Sequence, residues 1–490
     1  MRKRVYICIS ILLLLLFLVS CNSHIILEEA NPYFEGLAKV KINGKYGYIN
    51  KEGEIAIEPK FTEASIMFFN DVAWVKEGEF WGTIDKTGKY LAEPQYEEII
   101  SVSNDICIAK KSNRYGVVDN KGKEIIPFDY DSIEREANLF IVKKGSLFGC
   151  ANLEGDIIVE PDYDMVRVII EPEVNIIKVG KEYKWFQNDD SYNEFKFGLM
   201  SIDGEKLTNI EYASIDNFSE GLAPVKVHEK IGFKTGFINT NGEMVIEPQF
   251  HDAYPFSQGL AAVEIDEKWG YIDKESNIII EPNFEFAGQF NEYDLAKVRV
   301  NGKYGYINKQ GEMIIEPVFE EIVHFVEDLA PMEYKTDEGY KWGYIDTSGD
   351  IVIEPKYNEA EFFYRGIAKV KVDGKYGIID KMGREILPPI YEEILQFPDD
   401  NFIVKIGGKM SIVNRNGEEL TEESYDRIAG FETEGLIAVN EEGKWGFIDK
   451  NGKEVIAPKY EEVTYVREGV AFAKLKNKWI CIDKEGNKIF

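Results

Sequence analysis

Histidine and cysteine are scarce: four histidines (His24, His228, His251 and His324) and five cysteines stand among 490 residues. No two histidines are spaced like metal ligands, so a zinc site or a histidine-based triad has almost no material. Cys8 and Cys21 fall in the first 21 residues, and Cys107, Cys150 and Cys481 are too few and too scattered for a disulfide framework. They lie in strand-like stretches such as Ile106-Cys107-Ile108 and read as small core residues. Positive charge is in deficit, 57 Lys and Arg against 87 Asp and Glu, a net charge of −30. Such acidity serves solubility and argues against nucleic acid or an anionic membrane surface as partner. After Cys21 no apolar run reaches spanning length.

The N-terminus does carry such a run. Basic Met1-Arg2-Lys3-Arg4 precedes an apolar stretch from Val5 to Val19, the pattern of a signal peptide rather than of a spanning helix. It ends in Leu18-Val19-Ser20-Cys21, which resembles the lipobox of bacterial lipoproteins. An ordinary secretory signal ending beside a cysteine is the plainer reading, but the small Ser20 and the abrupt switch to Asn22-Ser23-His24 favour the lipobox. The resemblance implies removal of residues 1–20 and lipidation of Cys21, with residues 21–33 as linker and the chain exported and held to an envelope membrane by lipid. Which leaflet holds it is left open.

One phrase returns along the rest of the chain: Lys45-Tyr46-Gly47-Tyr48-Ile49-Asn50, Lys303-Tyr304-Gly305-Tyr306-Ile307-Asn308, Lys444-Trp445-Gly446-Phe447-Ile448-Asp449. Further copies place Trp81-Gly82, Trp269-Gly270, Trp342-Gly343 and Tyr376-Gly377 in the same setting, and Ser411 and Ile480 replace the glycine in degenerate copies. Most intervals are 33 to 35 residues, so about thirteen units fill residues 34–490 and leave no segment for a separate catalytic domain. With Ile279-Ile280-Glu281-Pro282-Asn283-Phe284 and Phe256-Ser257-Gln258-Gly259-Leu260-Ala261, the unit resembles the WG-repeat family of bacteria. The resemblance implies a repeat protein and brings no catalytic residue and no cofactor.

One unit can be read physically. Ala38, Val40 and Ile42 alternate with Lys39 and Lys41, the period of a half-buried strand, and Asn43-Gly44 suits a two-residue type I′ turn. The return strand Lys45 to Asn50 reads as central. After Asn50-Lys51-Glu52-Gly53, a type I turn with a bulge, comes a third strand, Ile55 to Ile57, which Pro59 is expected to end. The glycine after the aromatic permits a close approach, expected from the neighbouring unit, or a local bulge. A single unit is too small to bury a core, so adjacent units must supply each other's second layer. The fold class is therefore all-β, about thirteen antiparallel hairpin or meander repeats. A continuous superhelical stack is preferred over one or two β-propeller-like rings, because thirteen units exceed the four to eight blades usual for a ring.

Four features are candidate sites. Residues 170–196 interrupt the period with an inserted hairpin, in which Tyr183, Trp185 and Phe186 could form an aromatic ligand loop; an elongated hairpin with cross-strand aromatic pairs explains it equally well. Asp/Asn-x-x-Gly turns such as Asp85-Lys86-Thr87-Gly88 and Asp346-Thr347-Ser348-Gly349 lack the alternating carboxylates of a calcium loop. The Ile-Glu-Pro carboxylates at Glu58, Glu160, Glu247, Glu281, Glu316 and Glu354 could serve a glycosidase but read better as solvated strand ends. The motif aromatics Tyr46, Trp81, Trp269, Trp342 and Trp445 are expected in the core, although a partly exposed row of them would be a sugar-stacking platform. No catalytic or metal-binding set emerges. The function expected is a non-enzymatic envelope module that binds a protein or a cell-wall polysaccharide; a structural spacer and a glycan hydrolase are the alternatives.

Overall fold

A computed structural model describes residues 26–490, apart from 102–104, 172–173, 188–189, 231, 397–400 and 430–431. The expected leader and Cys21 lie outside the described residues. Among those described there is no helix, and thirteen antiparallel sheets follow one another in chain order, ten of four strands and three of three. Each is a meander, so every strand pairs with its neighbours in sequence.

The first sheet shows why. Its strands are β1 (Glu29–Phe34), β2 (Leu37–Ile42), β3 (Lys45–Ile49) and β4 (Ile55–Phe61). Asn43 and Gly44 both have positive φ (50° and 74°), as the type I′ turn requires, and they set Ile42 opposite Lys45. Glu35 and Gly36, also at positive φ, make the same kind of turn between β1 and β2. The β3–β4 turn closes through Gly53 N donating to Asn50 O at 3.1 Å, and the Asn50 side-chain oxygen accepts from Glu54 N at 2.8 Å.

Three expectations are corrected in this sheet. The array begins before residue 34: residues 29–33, expected in the linker, belong to the strand Glu29–Phe34, which is in register with β2. Pro59 does not end the ladder, since β4 continues to Phe61 and pairs it with Tyr46. Proline is tolerated because β4 is an edge strand, where its missing N–H costs no ladder bond. The glycine of the motif answers to this same strand and not to the neighbouring unit. The register shifts across Pro59, and a Cβ on Gly47 would lie 2.5 Å from Ile57 O and 2.7 Å from Pro59 N. Gly305 and Gly343 are confined alike, at 2.3 Å from Ile315 O and 2.4 Å from Ile353 O. Where Ser411 and Ile480 replace the glycine, the sheets have three strands.

The core lies between sheets. Tyr48, Ile57 and Phe61 of the first sheet share a cluster with Phe68, Ala73, Val75 and Ile84 of the second, and such shared clusters recur along the chain. The aromatic after the glycine also ties sheets polarly: Tyr48 Oη donates to Ser65 O at 2.7 Å, Tyr271 Oη to Gly288 O at 2.8 Å, and Tyr344 Oη to Glu361 O at 2.7 Å. Neighbouring units thus supply each other's second layer.

The chain divides into two compact units. One comprises residues 1–95 with 425–490, the other residues 96–424. Within the first, the N-terminal and C-terminal sheets share a core: Tyr33, Ala38, Val40 and Ile49 cluster with Phe472 and Cys481, and the Tyr33 and Phe472 rings stack with centroids 5.5 Å apart. The second unit holds the third to eleventh sheets in sequence.

Candidate functional site

The two-residue hairpin places Lys41 directly opposite Tyr46 and Lys39 opposite Tyr48 on the same face of the first sheet. Tyr48 is buried, but Tyr46, nearer the turn, is only half-buried. Both ammonium groups lie over the Tyr46 ring, at 4.9 and 5.2 Å from its centroid, and Tyr46 Oη donates to Glu29 at 2.9 Å. The expectation that the motif aromatic is core is therefore corrected. Trp81, Trp269, Tyr304, Trp342, Tyr376 and Trp445 are half-buried as well, each preceding a buried glycine. The residue two places on fills the core instead.

The cations recur with the rings. Lys76 lies over Trp81, Lys297 over Tyr304 at 4.1 Å, Lys371 over Tyr376 at 4.9 Å, and Arg427 over Trp445 at 6.0 Å. Trp269 instead stacks on Tyr254, with centroids 5.1 Å apart. Between the ninth and tenth sheets this pattern opens a groove of about 270 Å³ lined by Trp342, Tyr376, Lys369, Lys371, Glu359 and Glu361. Its rim is ordered by ion pairs, Lys369 to Glu361 at 2.9 Å and Lys371 to Glu359 at 2.8 Å. Deeper lysines act as ties: Lys39 Nζ donates to Ala64 O at 3.2 Å, and burial between sheets holds its ammonium below the usual lysine range. A flat ring edged by donors and acceptors, repeated from unit to unit, is the arrangement a sugar ring or a flat polar surface can use. The sequence reading missed the lysines, although the Asn-Gly register already sets Lys41 against Tyr46.

The remaining candidates fall elsewhere. The insertion forms an elongated hairpin, Val174–Gln187 against Asp190–Ser201, with Trp185 opposite Tyr192 in the register. Tyr183 is exposed under Lys196, while the side chains of Trp185 and Phe186 lie outside those described. The turn carboxylates are occupied by their own turns: Asp346 Oδ1 accepts from Ser348 N and Asp350 N, both at 3.0 Å. Burial works to raise the Asp346 carboxyl, but these donors and the Ser348 hydroxyl outweigh it and hold the group below its ordinary range. Glu58, Glu247, Glu281, Glu316 and Glu354 are exposed on edge strands. Cys107, Cys150 and Cys481 are buried, and desolvation pushes their thiols up to about 12.

No curated protein matches the chain. Among solved structures it is similar to a eukaryotic initiation factor, at 13% identity over 66% of this chain and 96% of that one, with a TM-score of 0.37. It is also similar to the extracellular domain of a putative one-component system from B. thetaiotaomicron, at 10% identity over 95% and 76% of the two chains, with a TM-score of 0.19. The extracellular domain of a putative hybrid two-component system from the same organism gives 11% identity over 93% and 81%, with a TM-score of 0.20. The model of the WG containing repeat matches thirteen successive segments from residues 24–46 to residues 445–479; besides residue 80, the gaps between matches are 186–196, 231–235 and 336–341, where the period is stretched. The chain belongs to the family of proteins built from the WG containing repeat.

Proposed function

We propose that this chain is an exported lipoprotein, anchored through Cys21 after loss of residues 1–20, that works without catalysis as a repeat-based binding or scaffold module. Residues 21 to about 28 then form the tether, and the array from Glu29 onward presents the binding surface. The observation that carries the reading is the repeated half-buried aromatic beneath a lysine or arginine, from Tyr46 to Trp445. Each ring offers a flat apolar face, and the paired Lys and Glu offer directional hydrogen bonds. Both repeat with the unit, so modest contacts can add along an extended partner. A cell-wall polysaccharide fits this chemistry best, and a protein partner is the second reading because the same Lys–Glu rims suit a polar protein surface. Co-sedimentation of the mature chain with purified cell-wall polysaccharide at two salt concentrations tests it. Saturable, salt-tolerant depletion supports glycan binding, and no depletion shifts the assignment to a protein partner.

A further inference from the structure

The turn that joins the first two strands of a unit is preceded by a position that varies from repeat to repeat. In the unit of residues 96–424, Ser219, Ser257, Val326 and Tyr364 are among its occupants, and the two serines tie turn to turn, their hydroxyls donating to Phe256 O and Phe290 O at 2.6 Å. In the other unit the same position carries Phe34, Phe69, Thr433 and Arg467. Phenylalanine and arginine lack the short hydroxyl that makes the tie. Together with Met67 and Tyr465 these side chains line a cavity of about 560 Å³, the size of a small-molecule site.

Charge in this cavity is unevenly paired. Three carboxylates line it, and each has a lysine: Glu35 with Lys86 at 2.7 Å, Glu434 with Lys484 at 3.2 Å and Glu468 with Lys51 at 3.0 Å. The Glu434 and Glu468 carboxylates also accept the backbone N–H groups of Gly469 and Gly36, at 2.9 and 3.2 Å. Their acceptor capacity is committed. Arg467 is the lining cation, and among the described residues it forms no ion pair, in a chain with a net charge of −30. Its guanidinium lies 4.0 Å from the centroid of the buried Phe34 ring. Stacking fixes the plane of the guanidinium and leaves its edge donors for a planar, two-oxygen acceptor. Beside it stand the half-buried Met67 and the exposed Phe69 ring.

We propose that this cavity binds a carboxylate carried on a flat apolar body, its two oxygens held by Arg467 and its body lying against Phe69 and Met67. The site is independent of the aromatic–lysine row. The ligand is small, because a long polyanion would be repelled by the acidic molecule around the cavity.

Calorimetric titration of the mature chain with phenylacetate and, separately, with N-acetylphenylalanine tests the assignment, with their amides as uncharged controls. The expected result is saturable binding of at least one acid with a Kd of roughly 1 mM or tighter, weakened roughly tenfold or more both by amidation and by Arg467→Gln. Arg467→Lys keeps the charge without the fork and should fall between. Arg467 is exposed on a turn, and an unchanged melting curve verifies that its variants stay folded. Tighter binding of phenylacetate assigns the site to free acids, and tighter binding of N-acetylphenylalanine assigns it to the C-terminal end of a peptide. Equal binding of acid and amide, binding that survives Arg467→Gln, or no binding of either acid overturns the proposal.

Discussion

A single methyl group tests what the motif glycine does. Gly305→Ala would put a Cβ 2.3 Å from Ile315 O, a backbone atom that cannot rotate away. The strand Met313–Phe319 must then withdraw, at a cost of about 2–3 kcal/mol typical of overpacking. Hydrogen exchange should show Met313–Phe319 losing protection while distant sheets keep theirs, because repeat stability is local. Unchanged protection would show that the outer strand does not depend on the glycine. Glycine and aromatic were both visible in the sequence, but not their partners. A two-residue period puts Tyr46 and Tyr48 on one face without telling which is nearer the rim, so the motif ring was placed in the core and its neighbour's burial was missed. The close approach was sensed correctly and assigned to the wrong strand, since a bulge opposite Pro59 leaves no signature in alternation.

At the scale of the element, the turns are the most self-sufficient pieces. In copies of the β3–β4 turn such as those at Asp346 and Asp483, one carboxylate oxygen accepts two backbone N–H groups within five residues, so local sequence settles the geometry. Asp346→Ala removes both acceptor contacts and should lower local stability by about 1 kcal/mol, read as faster exchange at Ser348 and Asp350. Asp346→Asn, which keeps the acceptor, should restore most of it; equal loss in both variants would point to the charge instead. Because these turns are local, Asn43-Gly44 and Asn50 to Gly53 were legible in advance, and so were the two strands between and beside them. The opening strand was not. In several sheets it is a pair such as Glu63–Ala64 or Ser214–Ile215, too short to show a period and held only by its partner strand.

At the scale of the molecule, the recurring link between units is a carboxylate reaching the next turn. Glu220 accepts from Gly259 N at 3.1 Å, Glu327 from Gly366 N at 2.9 Å, and Glu434 from Gly469 N at 2.9 Å. Glu468 makes the same link to Gly36, 432 residues away in sequence, with the N-terminal sheet standing where the next repeat would be. Burial alone would raise the Glu468 carboxyl, but the Lys51 ammonium and the Gly36 N–H outweigh it and hold it below its ordinary value of 4.5. A depressed carboxyl contributes stability that is present above that value and lost as pH falls through the lower folded value. Glu468→Gln should therefore lower stability near neutral pH, by about 1 kcal/mol, and the gap to the parent should close as pH falls below the ordinary carboxyl value of 4.5. A gap independent of pH would assign the effect to packing. The terminal contact was not legible, because the junctions between repeats draw on the same motif positions and nothing in a periodic sequence marks which two ends meet.

Within residues 96–424 the half-buried Trp269, Tyr304 and Trp342 are proposed as one extended binding surface, and stepwise removal of these rings decides it. Trp269→Ala, Trp269→Ala with Tyr304→Ala, and both with Trp342→Ala should each weaken co-sedimentation with cell-wall polysaccharide further, by roughly 1 kcal/mol per ring. Cooperative melting must be retained throughout. Graded loss across the series is the predicted result; saturable binding that survives the triple variant, or no binding by the parent chain, would contradict it.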